Sequence, residues 1–295
     1  MKEILSQSKI PVALALGFFD SLHIVHRRII GNAVDYAKQN GCSSAVFTFM
    51  DDGICSLKGD MIYLYNERKK LLEQLCVDYV VPFVFSECAT LDKLEFLDKI
   101  TTLVEVKAIF CGYDFTFGYK GQGEVAFLQN YCDKKGIQLF VAEKEIAYNE
   151  KISSSMIKKF LLSGEIEKAN SLLVNPYSIT STVIKGRGEG SLFGFPTANI
   201  LINKNKMLIK EGVYGTFTII DGKKYESVTS VGIKPTFNDM SVSIETLIKD
   251  FNGNIYDKEI TIEFNKYIRD IYKFESKELL KAQIDKDLEW ERNLW

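Results

Sequence analysis

Residues 17–30 read GFFDSLHIVHRRII, and this stretch decides the fold of the first half of the chain. It holds both histidines of the protein, His23 and His26. An apolar run, Val12 to Leu16, precedes it and reads as a strand. After it, Ile29, Ile30, Ala33, Val34 and Ala37 recur at helical spacing, and Gly41 reads as the stop. The segment predicts strand, tight turn, helix. In an open α/β sheet a phosphate-bearing ligand sits at such a turn, because free N–H groups at a helix N-terminus attract anions. Two imidazoles there can hydrogen-bond phosphate oxygens as charge moves onto them, and Arg27 and Arg28 add positive charge. The pattern also fits two surface histidines in a turn. It lacks the spacing and the glutamate of the H-E-x-x-H metal signature.

GFFDSLHIVHRRII resembles the G-x-F-D-G-x-H-x-G-H stretch of the HxGH nucleotidyltransferases. Within that superfamily nearly the whole chain resembles the bacterial bifunctional riboflavin kinase/FMN adenylyltransferase (FAD synthetase) family. The resemblance implies an α/β nucleotidyltransferase domain with a Rossmann-like parallel sheet. An antiparallel β-barrel riboflavin kinase domain with a terminal helix would follow it. It further implies that His23 and His26 stabilise phosphate charge, with Phe19 and Asp20 beside the nucleotide.

The 295 residues suffice for two domains with their own cores. A composition of 46% apolar and 26% charged residues is that of an ordinary soluble protein, and a net charge of −2 supplies no general attraction to nucleic acid. No apolar run approaches membrane-spanning length. Lys2 followed by Val12 to Phe19 mimics a signal peptide, but no small-residue cleavage site follows and Asp20 interrupts, so a buried first strand is expected. Six cysteines without a C-x-x-C pair read as free thiols, and a cytoplasmic protein is expected.

The N-terminal half alternates strand and helix. Strands are expected at 43–49, 77–85, 106–111 and 137–142, and helices at about 66–75 and 91–104. The second helix would use Leu91, Leu94, Leu97 and Ile100 as its main apolar positions, with Phe96 beside them. Repeated β–α units imply a parallel sheet with helices on both faces. The loop GYDFTFGYKGQGE, residues 112–124, resembles the family's G-x-[DN]-F-x-F-G segment. The resemblance puts Gly112 and Asp114 by the adenylyl-transfer site, while Phe115 and Phe117 are expected to pack on the sheet. KISSSMIKKFL, residues 151–161, resembles the family's I-S-S-T-R-I-R motif, which acts on ATP through Ser154 and Ser155; on its own it reads as a capped helix.

The chain departs from the family pattern at several positions. Val25 replaces the glycine between the histidines, and Ser21 the glycine after the aspartate. TFMDDG, residues 48–53, stands for T-F-x-P-H-P, so Asp51 and Asp52 replace its prolines and histidine. Met156 stands for the first arginine of the serine motif, which leaves Lys158 as its basic residue. An arginine is a bidentate phosphate clamp that methionine cannot replace. Two further readings therefore stay open at this point. One is a riboflavin kinase with a degenerate adenylyltransferase domain. The other is a flavin- or nucleotide-binding regulator with little turnover.

Gly164 ends one helix, a short helix follows at 166–173, and Asn175-Pro176 marks a break. Domains of 1–174 and 175–295 are expected. Beyond the break, strands at 213–220 and 223–231 flank Asp221-Gly222, a strong hairpin signal, and strands at 241–251 and 256–264 flank Asn252-Gly253. These strands suggest a small closed barrel. Ser276 would cap a helix to about Arg292, with Leu279, Leu280, Ile284 and Leu288 on one face.

KGRGEGSLFGFPTANI spans 185–200. Gly186, Gly188, Gly190 and Gly194, with Lys185 and Arg187, make a loop whose N–H groups can cradle phosphates. Thr197 and Asn199 are two apart on an extended segment, so they point the same way, and their oxygens suit Mg²⁺ carried by ATP. FGFPTANI is similar to the G-x-P-T-A-N motif of riboflavin kinases, although Ser191 stands where that family has an arginine. Glu245, in SVSIETLIKDF (241–251), lies on the strand face opposite Val242, Ile244, Thr246 and Ile248. That stretch resembles the family's E-x-x-L-x-D-F strand, whose glutamate is the general base. SVGIKPTF (230–237) and YIRDIYKFES (267–276) also match the kinase family. The last would put Arg269 near the flavin, and a surface ion pair is the other reading of Arg269. The resemblance implies riboflavin, FMN and ATP as partners and FMN and FAD as products. Neither nucleic acid nor a membrane is expected, and any homo-oligomer is expected to be weak.

Overall fold

The computed structural model describes residues 1–51, 59–186, 195–235 and 240–290. The chain divides into two compact units, Met1–Met156 and Ile157–Trp295.

The first unit is built on β1 (Lys2–Glu3), β2 (Pro11–Leu16), α1 (Ile24–Asn40), β3 (Ser43–Phe49), α2 (Tyr65–Gln74), β4 (Tyr79–Phe83), α3 (Lys93–Leu103), β5 (Glu105–Gly112), α4 (Val125–Lys135) and β6 (Gln138–Ala142). The sheet order is β1-β4-β3-β2-β5-β6. Every pairing in it is parallel. Val12, Leu14 and Leu16 of β2 share a core cluster with Phe96, Leu97 and Ile100 of α3 and Leu128 and Cys132 of α4. The alternate residues face the other way. On that side Phe110 meets Tyr36 of α1, with ring centroids 5.7 Å apart. Helices therefore cover both faces, which explains why β2 is apolar throughout and why Ser44 to Thr48 of β3 are all buried.

Gly41 ends α1 in the left-handed conformation (φ 64°), as read from the sequence. The face of α3 differs from expectation: Phe96 replaces Leu94, which is 48% exposed. Helix α4 was not expected. After β4 the chain crosses to the opposite side of β2, so β2 and β5 form the switch point of the sheet, where ligand crevices open in such folds. A short hairpin of β7 (Ile146–Ala147) and β8 (Glu150–Lys151) leads into α5 (Ser154–Ser163).

In the second unit α6 (Ile166–Leu172) precedes β9 (Ser178–Ile184), β10 (Thr197–Ile200), β11 (Gly212–Ile220), β12 (Lys223–Pro235), β13 (Met240–Ile248), β14 (Glu259–Arg269) and α7 (Lys277–Asp287). The six strands close in the order β10-β13-β12-β11-β14-β9. Asn170 Nδ2 of α6 donates to Phe264 O at 2.8 Å, so the helix ahead of Asn175-Pro176 packs on the barrel. Asp221 (φ 50°) and Gly222 (φ 79°) both take the left-handed conformation that a two-residue hairpin turn requires.

The barrel interior is partly polar. Thr216, Thr218, Ser227, Thr229 and Thr246 are fully buried. Their hydroxyls satisfy one another, as in Thr229 to Thr246 at 2.9 Å and Thr216 with Ser227 at 2.8 Å.

The terminal helix is capped by Ser276, whose Oγ accepts from Leu279 N at 3.3 Å. Its expected apolar face is only partly used, since Leu279 is 53% exposed. The stretch just after the helix is held instead by Trp290, whose Nε1 donates to Ser227 O at 3.1 Å. Its ring lies so close to Gly215 that a Cβ there would come within 2.2 Å. The expected extension to Arg292 lies outside the described residues.

Candidate active sites

His23 is the N-cap of α1, and its Nδ1 accepts from His26 N at 3.2 Å. With Nδ1 used as an acceptor, the neutral ring carries its proton on Nε2. The two imidazoles stack, with centroids 3.5 Å apart and planes 16° from parallel. Phe19 meets His26 edge-on at 5.1 Å. The Phe19 ring covers Gly17, where a Cβ would lie 2.8 Å from it, so only glycine fits there. Phe19 itself has φ 53°.

Burial keeps both rings neutral. It pushes His23 down to about 4; the nearby Lys151 cation adds to this and Asp114 opposes it. His26 falls well below its ordinary value for the same reason, reinforced by His23 and Lys151.

Asp114, just past β5, pairs with Lys151 at the end of β8. The Lys151 ammonium also lies 5.1 Å from the centre of the Tyr113 ring. Desolvation pulls the Lys151 pKa down, but its bonds to Asp114 and Tyr113 outweigh it and the net shift is upward. The switch point thus gathers His23, His26, Asp114 and Lys151. Lys151 was missed as a site residue; its signal was its place directly ahead of the serine motif. Phe117 packs in the core, 5.7 Å from Phe96, and Phe115 stacks on it at 5.5 Å, as expected of both aromatics.

Ser153 Oγ accepts from Met156 N at 3.3 Å and caps α5. Ser154 Oγ bonds Ser21 Oγ at 2.9 Å, and Ser155 is exposed. Met156, where the family has arginine, is buried. Asp20 is buried too, with Oδ1 accepting from Ile62 N at 2.9 Å, so this oxygen braces the backbone.

The Asp51 carboxylate accepts from Tyr65 N at 2.9 and 2.8 Å. It also pairs with Arg68 at 3.5 Å. Arg68 is fully buried, donates to Phe49 O at 2.5 Å and Tyr63 O at 3.2 Å, and lies 4.9 Å from the centre of the Phe18 ring. The acid that replaces part of the family motif is thereby neutralised within the fold. Asp52 lies outside the described residues.

On the barrel, Asn199 of β10 stands directly opposite Glu245 of β13. Thr197 and Asn199 alternate with buried Ala198 and Ile200, and Glu245 alternates with buried Ile244 and Thr246. All three polar side chains therefore share the outer face of the barrel wall, half-buried. Ser243 Oγ donates to Glu245 Oε1 at 3.2 Å. Gly186 lies against the Asn199 amide, where a Cβ would come within 2.4 Å of Nδ2. Gly190, with Arg187, Gly188, Ser191 and Gly194, lies outside the described residues.

Arg269 forms a fork with Asp287, from Nε at 3.0 Å and Nη2 at 2.8 Å to Oδ2. It also lies 4.8 Å from the centre of the Tyr272 ring. Of the two expectations for this residue, the geometry is that of an ion pair, made with a buried carboxylate and anchoring α7.

Among the described residues no helix is long and apolar enough to cross a membrane. The five described cysteines are free thiols.

The FAD synthetase family model matches residues 5–156, and the riboflavin kinase model matches 173–295. A bifunctional riboflavin kinase/FMN adenylyltransferase of Listeria monocytogenes is 34% identical over 282 residues, covering 93% of this chain and 89% of that protein. The one from Bacillus subtilis is 34% identical over 293 residues, covering 96% and 92%. A crystal structure described as a macrolide-efflux protein from Streptococcus pneumoniae matches with a TM-score of 0.86 at 28% identity, over 99% of this chain and 96% of that one. Two family models placed in series, and relatives similar from end to end, put this chain in the bifunctional riboflavin kinase/FMN adenylyltransferase family.

Proposed function

We propose that this chain makes FMN from riboflavin and ATP on its barrel, and FAD from FMN and ATP at the switch point of its parallel sheet. One observation carries the reading: each unit gathers its own polar cluster, His23, His26, Asp114 and Lys151 in the first and Thr197, Asn199 and Glu245 in the second. The neutralisation of Asp51 by Arg68 supports retention of the second activity over the degenerate-domain reading.

In the kinase reaction Glu245 takes the proton from the terminal ribityl hydroxyl. That oxygen bonds to the γ-phosphorus of ATP as the bond to the β-phosphate oxygen breaks, and ADP leaves. Thr197 and Asn199 offer neutral oxygens on one face beside Glu245, a donor set that fits Mg²⁺ held largely through ATP phosphates. Bound there, Mg²⁺ would neutralise phosphate charge. Gly186 keeps the wall beside Asn199 open to the nucleotide.

In the adenylyl transfer a phosphate oxygen of FMN bonds to the α-phosphorus of ATP, and pyrophosphate leaves. His23 donates from Nε2 to the phosphate oxygens as charge builds, with no covalent enzyme intermediate. His26 shares that role, and Phe19 fixes its ring. Lys151, released from Asp114, meets phosphate charge, and the N–H groups at Ser154 and Ser155 face the leaving pyrophosphate. Asp20 serves this site by bracing the loop. The domains are taken as 1–174 and 175–295, acting without nucleic acid or membrane, in the cytoplasm.

The test is chromatographic. Purified protein with Mg-ATP and riboflavin should yield FMN and then FAD, and with FMN it should yield FAD. FMN without FAD would restore the degenerate-domain reading. Flavin binding with neither product would favour the regulator.

A further inference from the structure

We propose that Ser21 is a positioning residue for adenylyl transfer, its hydroxyl latching the start of α5 to the histidine loop. This rests on the adenylyl-transfer reading above. Ser21 is fully buried, and its Oγ lies 2.9 Å from Ser154 Oγ, 133 residues further along the chain. A buried hydroxyl that lost this partner would stay unsatisfied, so the bond persists.

The loop it belongs to is shaped by its contacts. Phe19 (φ 53°) and Leu22 (φ 43°) hold conformations that side-chain-bearing residues avoid. Thr48 Oγ1 donates to Phe18 O at 2.6 Å, and Asp20 holds Ile62 N on the flank toward α2. Ser21 supplies the tie toward α5.

Two departures from the family pattern meet here. Glycine at position 21 would have no hydroxyl to give. Arginine at position 156 would carry a phosphate clamp on α5, whereas Met156 is buried. In this chain α5 is fixed to the histidine loop by Ser21. In-line displacement needs that fixation, because the histidines meet the α-phosphate while α5 faces the leaving pyrophosphate. Small misplacements between two such elements are costly in rate.

The experiment compares Ser21→Ala, Ser154→Ala, the double variant and Ser154→Thr in the full chain. Ser21→Ala should lower kcat for FAD formation from FMN about five- to tenfold while KM for ATP moves less than about twofold, the split expected of lost alignment. Riboflavin phosphorylation should stay at the wild-type rate. Ser154→Thr keeps the hydroxyl and should lose less rate than Ser154→Ala, and Ser154→Ala should cost less in the Ser21→Ala background than alone. A wild-type kcat in Ser21→Ala, or strictly additive losses, overturns the proposal. Hydrogen exchange of the Met156 and Ile157 amides provides a readout independent of turnover. Exchange should quicken in Ser21→Ala, and unchanged exchange overturns the latch. A wild-type protein that makes no FAD overturns the adenylyl-transfer reading instead.

Discussion

The backbone N–H of His26 donates to Nδ1 of His23, and the two rings stack with centroids 3.5 Å apart. A cap hydrogen bond thereby sets the tautomer of a site residue, leaving Nε2–H of His23 as a donor that does not depend on protonation. The adenylyl-transfer rate should therefore show no histidine ionisation between about pH 6.5 and 8.5. Nitrogen-15 spectra of labelled histidine should show His23 as the Nε2–H form, titrating near 4. A His23 titration near 6.5 would contradict the buried, neutral pair.

The same burial gives a stability prediction. His23 has a folded pKa near 4, below its ordinary 6.5, so below pH 6.5 the unfolded chain binds the proton more readily. Stability from this group is complete above about pH 6.5, falls as the pH drops toward 4, and by then has lost on the order of 3 kcal/mol. Urea midpoints between pH 7 and 4, compared with His23→Gln, measure the contribution. Equal acid sensitivity in the variant would assign the loss to other groups.

Arg68 is a buried cation shared by Phe49 O, Tyr63 O and Asp51, beneath the Phe18 ring. Arg68→Met would leave two carbonyls without this donor, and the Asp51 and Asp20 carboxylates without their nearby cation. A loss of about 3–5 kcal/mol is expected. Asp51→Asn keeps an acceptor for the Tyr65 N–H and should cost about 1 kcal/mol. Urea unfolding of the full chain distinguishes them. If Asp51→Asn instead raised FAD formation severalfold, Asp51 would be repelling ATP despite its pairing.

Periodicity reaches the elements but not their partners. The strand–turn–helix around His23 was legible because apolar spacing and a terminal glycine are local signals. Helix α4 was missed because it follows a glycine-rich loop and its apolar residues begin as an unbroken run, Val125 to Leu128, that shows no helical period. Asp51 was legible as a charge but not as a neutralised one, since Arg68 arrives from another element. The alternation along β13 placed Glu245 on the polar face. Its position opposite Asn199 depends on barrel register, which no local pattern encodes. Arg269 had two readings because its partner, Asp287, lies on the next helix.

Glu245 and Asn199 face each other across the β10–β13 ladder, so substitutions there should act on one activity alone. Glu245→Gln should reduce FMN formation by about a hundred- to ten-thousandfold. FAD formation from supplied FMN should be unaffected. Asn199→Ala should raise the Mg²⁺ concentration needed for half-maximal kinase rate. Following both products in one assay gives each variant its own control. Parallel loss of both activities would point to a folding defect and not to chemistry at this face.

The fork between Arg269 and Asp287 joins β14 to α7, and Gln283 Nε2 donates to the same carboxylate at 2.7 Å. The Asp287 side chain is 1% exposed and that of Arg269 16%, so removing Asp287 leaves a largely buried guanidinium without its counter-charge. Asp287→Ala should cost about 3–5 kcal/mol in the unit that holds it. Arg269→Lys should also destabilise, because an ammonium cannot reproduce the two-pronged geometry. Both tryptophans, Trp290 and Trp295, follow this helix, so tryptophan fluorescence during urea unfolding reports on its release. Both variants should shift that transition, and the double variant should shift it by less than the sum. If Arg269 instead held the flavin directly, Arg269→Lys would raise KM for riboflavin with the fluorescence transition unmoved. Asp287→Ala would then leave KM unchanged. The coupled loss is expected because the guanidinium already spends its Nε and Nη2 donors on Asp287.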